Sequence, residues 1–355
     1  MIAPDSFKGS ATARDAAAAI AAGWRSVRPG DDLVLLPQAD GGEGTLDAMA
    51  AAVPGAMRRD AGLVTGPDGH PVAGLWLELP DGTAVVELAQ CSGLPLMTRL
   101  DPLGATTRGV GEVIRSAMRS GATRFVVGLG GSASTDGGAG ALAALGLELI
   151  DEQGDLVADG GRELRRVVGM RRDALLAPEE LTLLTDVTAP LLGPTGAAAV
   201  FGPQKGASPG QVLELEAALA HFARLLGGDP SAPGTGAAGG TAYGLATVLG
   251  ATIVPGADRL AELSGLSAAM AEADLLLTGE GAFDEQSLAG KVVGQQLVAA
   301  AEAGVAVGVI AGRVHPVPGV WSASLTDLAG SGDAAMADPL RWIRIAGAAA
   351  AHELG

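Results

Sequence analysis

Short apolar runs alternate along the chain with longer alanine-rich stretches whose apolar positions recur at helical spacing. Such runs predict buried strands, and the alanine-rich stretches predict helices. The predicted strands are DDLVLLPQ (31–38), TRFVVGLG (123–130), LTLLTDV (181–187), ADLLLTGE (273–280) and VAVGVIAG (305–312). The predicted helices are 12–25, 43–53, 107–119, 138–146, 209–226 and 289–302. The alternation of the two element types indicates an α/β layered fold.

Residues 66–90 have a different pattern. Apolar and polar positions alternate here, and two Asp-Gly pairs interrupt the alternation. Asp-Gly between alternating segments is typical of tight hairpin turns. We therefore predict antiparallel hairpins in this region and a second domain of different character from the first.

The stretch GGDPSAPGTGAAGG, residues 227–240, consists almost entirely of small residues. A flexible connection between domains would have this composition. A ligand-binding loop of similar length would have it too, because long loops in compact domains are often functional. The sequence leaves both interpretations open.

Acidic residues and glycines coincide at the ends of five apolar strands. The positions are Asp5, Asp40, Asp136, Asp186, and the pair Glu280 and Asp284. In an open α/β sheet, ligands bind at the carboxyl ends of the strands. Asp is also common in turns, where its side chain bonds nearby backbone amides. Any one of these residues fits a turn, but five such strand ends together predict a convergent site.

Composition excludes several classes of protein. The formal net charge is -17 and aromatic residues make up 3% of the chain, which argues against a nucleic-acid surface. A single cysteine, Cys91, rules out an intrachain disulfide. The opening MIAPDSFKG lacks the features of a signal peptide, and no apolar run approaches the roughly 20 residues of a membrane span. We expect a soluble, cytoplasmic protein without membrane or nucleic-acid partners.

Lysine is scarce in this chain. Lys and Arg total 23, yet lysine occurs only at Lys8, Lys205 and Lys291, and each of the three adjoins a glycine. An ammonium group meets a phosphate or carboxylate as a compact point charge, unlike the planar guanidinium of arginine. We predict that all three lysines contact anionic ligands.

The stretch FVVGLGGSASTDGGAG, residues 125–140, admits two interpretations. Gly128-x-Gly130-x-x-Ala133 after a strand fits a dinucleotide-binding loop, with Glu148 downstream. However, Asp136 would then lie near the bound pyrophosphate, where like charges repel. A Mg²⁺ ion between phosphate and carboxylate removes that conflict. A metal-phosphate loop is therefore favoured; no P-loop motif occurs in the chain.

Seven longer blocks carry a family resemblance. They are APDSFKGS, ADGGEGT, GLGGSASTDGGAG, DVTAPLLGPTGAAAVFGPQKGAS, GTGAAGG, TGEGAFDEQSLAGK and VIAGRV. In sequence and order, the chain resembles the bacterial type I glycerate kinases over essentially its whole length. The resemblance implies ATP-dependent phosphorylation of D-glycerate, usually to 2-phosphoglycerate, with Mg²⁺.

The resemblance also implies an architecture. One flavodoxin-like α/β domain with a parallel sheet would be built from both chain ends, residues 1–62 and 270–355. A smaller mixed α/β domain, residues 63–269, would be inserted and carry the glycine-rich loops. The active site would lie in the cleft between the two domains, and the apolar helices permit a homodimer.

The expected roles of the site residues follow from the resemblance and from the chemistry of phosphoryl transfer, which needs positioning, charge neutralisation and a proton acceptor. The catalytic candidates are Lys8, Asp186 and Asp284, with Asp186 either the general base or a turn cap. The substrate-binding candidates are Asp5, Ser6, Asp40, Gly41, Gly42 and Lys205. The nucleotide-binding candidates are Gly130, Gly131, Ser132, Ser134, Gly137, Glu280 and Lys291. The metal candidates are Asp136 and Asp284.

Three other activities remain open from the sequence. A glycerate 3-kinase would yield 3-phosphoglycerate from the same substrates. An NAD-dependent oxidoreductase would use the loop at 128–133 for its cofactor. An inactive metabolite sensor would bind nucleotide or glycerate without turnover.

Overall fold

The computed structural model describes residues 1–288 and 292–355. The described chain divides into two compact units, and both are discontinuous in sequence. The first unit comprises Met1–Asp40, Asp47–Pro54 and Ala257–Gly355, and the second comprises Gly41–Leu46 and Gly55–Gly256. The domain boundaries predicted above, after residues 62 and 269, stay a prediction.

The strands and helices alternate as the apolar pattern predicts. The strands are β1 Met57–Thr65, β2 Pro71–Glu78, β3 Ala84–Glu87, β4 Arg124–Gly128, β5 Glu148–Ile150, β6 Gly169–Arg171, β7 Glu180–Leu184, β8 Thr252–Val254, β9 Leu275–Phe283, β10 Ala306–Val314 and β11 Trp321–Ser324. The α-helices are α1 Ala13–Val27, α2 Thr45–Ala52, α3 Ala89–Ser92, α4 Arg108–Arg119, α5 Ala139–Ala144, α6 Ala197–Phe201, α7 Pro209–Leu226, α8 Ala237–Leu249, α9 Gly256–Ser264, α10 Leu266–Ala271, α11 Glu285–Leu288, α12 Val292–Ala303, α13 Leu325–Ala329, α14 Gly332–Ala337 and α15 Pro339–Glu353.

The second unit is built on a six-stranded sheet with the order β1-β2-β3-β4-β7-β8. The pairs from β3 to β8 are parallel, whereas β1, β2 and β3 pair antiparallel. The two Asp-Gly pairs lie in the turns between these antiparallel strands, so the hairpin prediction is confirmed. Central strand residues such as Val86, Val127 and Leu183 are fully buried, which explains why the parallel strands read as continuous apolar runs.

The first unit contains a parallel three-stranded sheet with the order β11-β10-β9. Ile2 extends this sheet by bridging both Leu277 of β9 and Leu35. The strand predicted at 31–38 is wrong: only an isolated bridge forms there. Pro4 has no amide to donate to this ladder, although the amides of Leu36 and Gln38 still donate to the carbonyls of Ile2 and Pro4.

Helices α1 and α15, from opposite regions of the sequence, pack closely in the first unit. A Cβ on Gly23 would lie 2.0 Å from the Arg344 carbonyl oxygen, and one on Gly347 would lie 2.5 Å from that of Ile20. Glycine at both points therefore allows the two backbones to approach. The Thr12 side chain accepts a hydrogen bond from the Asp15 amide and starts α1 one residue after the predicted position.

The other predicted strands and helices are confirmed, with ends displaced by a few residues; residues 289–291 of the last predicted helix lie outside the described chain. The structure is thus a mixed α/β fold with a mainly parallel sheet in the second unit. Helix α8 was missed, because its glycines favour a loop. Its start at 237–240 overlaps the small-residue stretch left open above.

Ala238 has a left-handed backbone, with φ 51° and ψ 45°. An L-residue with a Cβ pays about 1–2 kcal/mol for this conformation, and glycine does not. Replacing Ala238 by glycine removes this conformational cost. Part of the resulting stabilisation is offset, because glycine loses more chain entropy on folding. We expect Ala238→Gly to raise the free energy of unfolding by about 0.5–1 kcal/mol in chemical denaturation.

The matched control is Ala246→Gly in the regular part of the same helix. It should lower the free energy of unfolding by about 1 kcal/mol, because glycine is a poor helix former there. Equal destabilisation by both substitutions would contradict strain at Ala238.

Candidate active site

A cavity of about 520 Å³ lies in the first unit, at the carboxyl ends of β9 and β10. Six residues singled out from the sequence line it: Asp5, Ser6, Lys8, Asp40, Glu280 and Asp284. Three of the five strand ends predicted to converge thus meet here, whereas Asp136 and Asp186 belong to the second unit. Ligand sites of open α/β sheets occupy this same end of the strands.

The N-terminal segment reaches the cavity because it runs beside β9. The Ala3 amide donates to the Leu277 carbonyl and the Asp5 amide to the Gly279 carbonyl, both at 2.8 Å. A tight turn follows, in which the Phe7 amide donates to the Ala11 carbonyl. This turn carries Lys8, whose side chain is 77% exposed.

Charge in the cavity is dominated by carboxylates around Lys8. The Lys8 ammonium lies 3.4 Å from the Asp40 Oδ2 atom, and Asp40 raises the pKa of Lys8. Burial raises the pKa of the Asp5 carboxyl to about 7, and the charge of Asp40 adds to the rise. A hydrogen bond from the Ser6 amide and the charge of Lys8 oppose it.

The raised pKa of Asp5 makes stability depend on pH. The folded state holds a proton that the unfolded chain releases above 3.8, so this stabilisation is complete below 3.8 and is lost as the pH rises through about 7. In the Asp5→Asn variant the side chain is neutral at every pH, so the variant does not lose this stability as the pH rises. Relative to that variant, the wild-type chain should lose on the order of 2–4 kcal/mol between pH 4 and pH 8.

Urea unfolding of both proteins at several pH values measures this difference. Asp15→Asn, on α1 outside the cavity, is the control and should run parallel to wild type. For each pH, the free energy of unfolding of Asp5→Asn is subtracted from that of wild type. If this difference is the same at pH 4 and pH 8, the raised pKa of Asp5 is contradicted.

Asp284 is exposed and follows β9 directly. Its Oδ1 atom accepts a hydrogen bond from the Ser287 amide at 3.1 Å, in the manner of an N-cap of α11. Glu280 is buried at the wall of the same cavity. Lys291, the third predicted site lysine, lies outside the described residues.

In the second unit, two glycine-rich loops meet over the ends of β4 and β7. A Cβ on Gly128 would lie 2.5 Å from the Gly41 carbonyl oxygen, and one on Gly130 would lie 2.4 Å from the Gly42 Cα atom. Glycine is required at both positions for this approach. The Gly130 amide donates to the Gly41 carbonyl at 3.1 Å, so this amide is already used within the protein.

The tip of the 128–138 loop is the accessible part. Gly131 is exposed and Ser132 is half-buried. The Leu94 amide donates to the Gly131 carbonyl and fixes the loop from outside. Across the described part of the chain, the amides of Gly131 and Ser132 donate to no acceptor, so they are the backbone donors offered to a ligand.

Asp136 is fully buried and bonded on both oxygens. Its carboxylate accepts hydrogen bonds from the Thr107 amide at 2.9 Å and the Thr107 hydroxyl at 2.8 Å, and from the amides of Gly138 and Gly140 at 3.1 and 3.2 Å. Burial raises the pKa of Asp136, while these hydrogen bonds lower it. This geometry favours a role in holding the loop against α4 and α5 over direct metal binding.

Deeper loop residues are also engaged in the protein. The Gly137 amide donates to the Gly239 carbonyl at 3.0 Å. Thus the small-residue stretch 227–240 supports the glycine-rich loop from behind. The hydroxyls of Ser134 and Thr135 are buried and have no hydrogen-bond partner among the described residues.

Asp186 follows β7 in the second unit and is exposed. Its Oδ1 atom accepts a hydrogen bond from the Gly256 amide, the first residue of α9, at 2.9 Å. This contact joins Asp186 to the start of a helix 70 residues later, so its role as general base or turn cap stays a prediction.

Two residues of interest were missed from the sequence. Glu87 ends β3, is fully buried, and accepts hydrogen bonds from the amides of Gly44 and Leu46 at 3.0 and 2.9 Å. Its carboxylate thereby occupies the start of α2. Arg313 brings a second cation to the cavity of the first unit. Two features of the sequence could have identified them: Glu87 is a charged residue within the apolar run AVVELA, and Arg313 is the arginine of VIAGRV.

The described residues contain no group of three or more His, Cys, Asp or Glu side chains arranged to hold a metal ion. Mg²⁺ commonly uses only one or two carboxylates and completes its shell with water and substrate phosphates. The exposed carboxylate of Asp284 fits that mode, whereas the saturated carboxylate of Asp136 does not. In the described chain no helix has the length and apolarity needed to cross a membrane.

The second unit thus carries a loop tip with backbone donors, and the first unit carries a cavity with cations among carboxylates. The model of the glycerate kinase family matches residues 1–349. The chain belongs to the glycerate kinase family, whose members are phosphotransferases, and the expectation from sequence is confirmed.

Individual relatives agree with this assignment. A glycerate kinase of Bacillus subtilis (strain 168) is 43% identical over 302 residues, which cover 82% of this chain and 78% of that protein. The glycerate 2-kinase of Escherichia coli (strain K12) is 40% identical over 339 residues, covering 92% and 85%. A crystal structure from Salmonella typhimurium LT2, provisionally designated glycerate kinase 2, superposes with a TM-score of 0.85 at 38% identity and covers 99% of this chain and 97% of that one.

Proposed function

We propose that this protein transfers the terminal phosphoryl group of ATP to D-glycerate, giving 2-phosphoglycerate with the assistance of Mg²⁺. The observation that carries the proposal is the cavity of the first unit, where Lys8 and Arg313 lie among carboxylates. Glycerate is a small carboxylate with two hydroxyls, and such a cavity offers it both cations and hydrogen-bond acceptors. Membership of the family supports the reaction itself.

Glycerate would bind through its carboxylate to Lys8 and Arg313, with Ser6 and Asp40 holding its hydroxyls. Asp5 is the residue that we propose as proton acceptor. It is buried at the cavity wall, and a pKa of about 7 lets a carboxylate be both available and effective as a base near neutral pH. Asp186 is the competing candidate from sequence, although it accepts a hydrogen bond from Gly256.

The two candidates are separated by a matched pair of variants. If Asp5 accepts the proton, Asp5→Asn lowers kcat about 10²–10⁴-fold, and Asp186→Asn changes it little. The reverse result would restore Asp186 as the base. Both variants keep size and remove one charge, so each controls for the other.

The phosphates of ATP would bind the tip of the 128–138 loop through the amides of Gly131 and Ser132. Backbone amides of this kind, in a turn before a helix, are suited to phosphate oxygens. Gly41, Gly42, Gly130, Ser134, Gly137 and Asp136 would support that tip rather than touch the ligand. Glu280 and Lys291 remain proposed nucleotide contacts from the family resemblance.

Asp284 is the residue that we propose to hold Mg²⁺. The ion would supply neutralisation of the phosphate charge, the usual role of a divalent cation in phosphoryl transfer. The flavodoxin-like character of one domain, an active site in a cleft, a homodimer and a cytoplasmic location also remain proposals. A crystal structure with an ATP analogue and glycerate bound would test the cleft directly.

The decisive experiment incubates the protein with ATP, D-glycerate and Mg²⁺ and identifies the product by phosphorus NMR. A signal of 2-phosphoglycerate is expected, and it should vanish when the metal is chelated. A signal of 3-phosphoglycerate would show that the phosphoryl group is transferred to the C3 hydroxyl instead. Binding of ATP and glycerate without turnover would favour a sensor, and glycerate-dependent NAD reduction would favour an oxidoreductase.

A further inference from the structure

Lys205 is a buried cation beneath the tip of the glycine-rich loop. It is 2% exposed, and its ammonium donates to the Ser132 Oγ atom at 2.9 Å and to the Ser134 carbonyl oxygen. Burial lowers the pKa of Lys205 to about 7, and the negative charge of Asp136 opposes that shift. All these groups belong to the second unit.

A tight backbone turn carries Lys205, and the hydrogen bonds to Ser132 and Ser134 hold its ammonium. Lys205 ends a short 3-10 helix, Pro203–Lys205, and Gly206 follows with a left-handed φ of 90°. A side chain so placed, and almost wholly enclosed, has little access to a ligand. The sequence-based prediction that Lys205 contacts substrate directly therefore fits the structure poorly.

The hydrogen bond at Ser132 has a directional consequence. In its ammonium form, Lys205 has three donors and no acceptor, so at this contact the serine oxygen then accepts. The hydroxyl proton of Ser132 is then left to point away from Lys205. On the same tip, the amides of Gly131 and Ser132 also donate to no acceptor within the described residues.

We propose that Lys205 is a positioning residue for nucleotide binding, which orients the Ser132 hydroxyl so that its proton is offered to a phosphate oxygen beside the two loop amides. The inference rests on the proposed function, since it takes the 128–138 loop as the phosphate site. Lys205 thus acts on ATP through Ser132 and has no contact with glycerate.

A double-mutant cycle tests this assignment. Ser132→Ala and Lys205→Met are each expected to raise the KM for ATP and the Kd for ADP about tenfold, because each removes the oriented hydroxyl donor to a charged oxygen. The KM for ATP and the Kd for ADP of the double variant should be at most about twofold higher than those of either single variant, since both changes remove the same interaction. The KM for glycerate should stay within twofold of wild type.

Lys205→Gln provides a second test of the same contact. Its amide group keeps a donor at a similar chain length, so it should recover part of the ADP affinity lost in Lys205→Met. Thermal unfolding of every variant shows whether the fold is retained. If Lys205→Met does not fold, the comparison of Lys205→Gln with Ser132→Ala and their double variant replaces it.

Two results would overturn the inference while leaving the proposed function intact. One is a wild-type enzyme that phosphorylates glycerate but whose ADP affinity is unaffected by Ser132→Ala. The other is multiplicative loss in the double variant together with a raised KM for glycerate, which would make Lys205 a direct substrate cation. Absence of turnover in the wild-type protein would instead count against the proposed function.

Discussion

Replacement of Lys8 by methionine is expected to lower kcat/KM for glycerate about 10²–10³-fold, because the proposed partner of the glycerate carboxylate is lost. The fold should be retained, because the Lys8 side chain is 77% exposed. The loss should exceed any change in the KM for ATP, since Lys8 lies in the cavity assigned to glycerate.

The same substitution has a second, independent signature. The positive charge of Lys8 lowers the pKa of Asp5. Its removal should therefore shift the acid limb of the pH–rate profile to higher pH. Steady-state kinetics between pH 5 and pH 9 measure both effects, and Arg14→Gln on α1 is a control that removes an exposed cation away from the cavity. An unchanged kcat/KM for glycerate in Lys8→Met would exclude this role of Lys8.

Removal of the Asp136 carboxylate is expected to produce the largest loss of stability. Asp136→Ala leaves the amides of Thr107, Gly138 and Gly140 buried without their acceptor. A loss of about 3–5 kcal/mol is expected, because each buried donor left unpaired costs about 1–3 kcal/mol. In a protein of this size the melting temperature should fall on the order of 10 °C.

Calorimetry and urea unfolding measure this loss. Asp173→Ala, at an exposed turn position, is the control and should change stability by less than about 0.5 kcal/mol. The loss of stability in Asp136→Asn should lie between those of Asp136→Ala and Asp173→Ala. Asparagine keeps one acceptor oxygen but turns an amide group toward backbone donors. Unchanged stability together with a weakened response to Mg²⁺ would revive the metal role predicted from sequence.

The sequence predicted the existence of a strand well where that strand is buried on both faces, although its ends were displaced by up to three residues. The runs at 123–130 and 181–187 became β4 and β7, because uninterrupted apolar β-branched and leucine positions fit a covered parallel sheet. The run at 31–38 has the same apolar character, but its pairing partner contains Pro4, which has no amide to donate to the ladder. Pairing depends on both strands, and a single run does not reveal its partner.

Six of the predicted site residues line one cavity, whereas their roles stay predictions. These six, among the residues that line the cavity, could be singled out because polar side chains at strand ends are local in sequence. Whether a side chain faces solvent depends on packing between distant segments. Asp136 and Lys205 are both buried, and their partners Thr107 and Ser132 lie 29 and 73 residues away, which no local pattern anticipates. Glu87 was missed for the same reason, as its partners lie more than forty residues earlier.

The pairing of the two chain ends in the first unit has a consequence for synthesis on the ribosome. Ile2 bridges Leu277, and α1 packs on α15, so the first unit lacks its partners until the last segments emerge. The second unit ends at Gly256 and is complete well before then. Because domains fold as units while the chain is still growing, the glycine-rich loops are built first, and the N-terminal residues that carry Lys8 wait unpaired for β9.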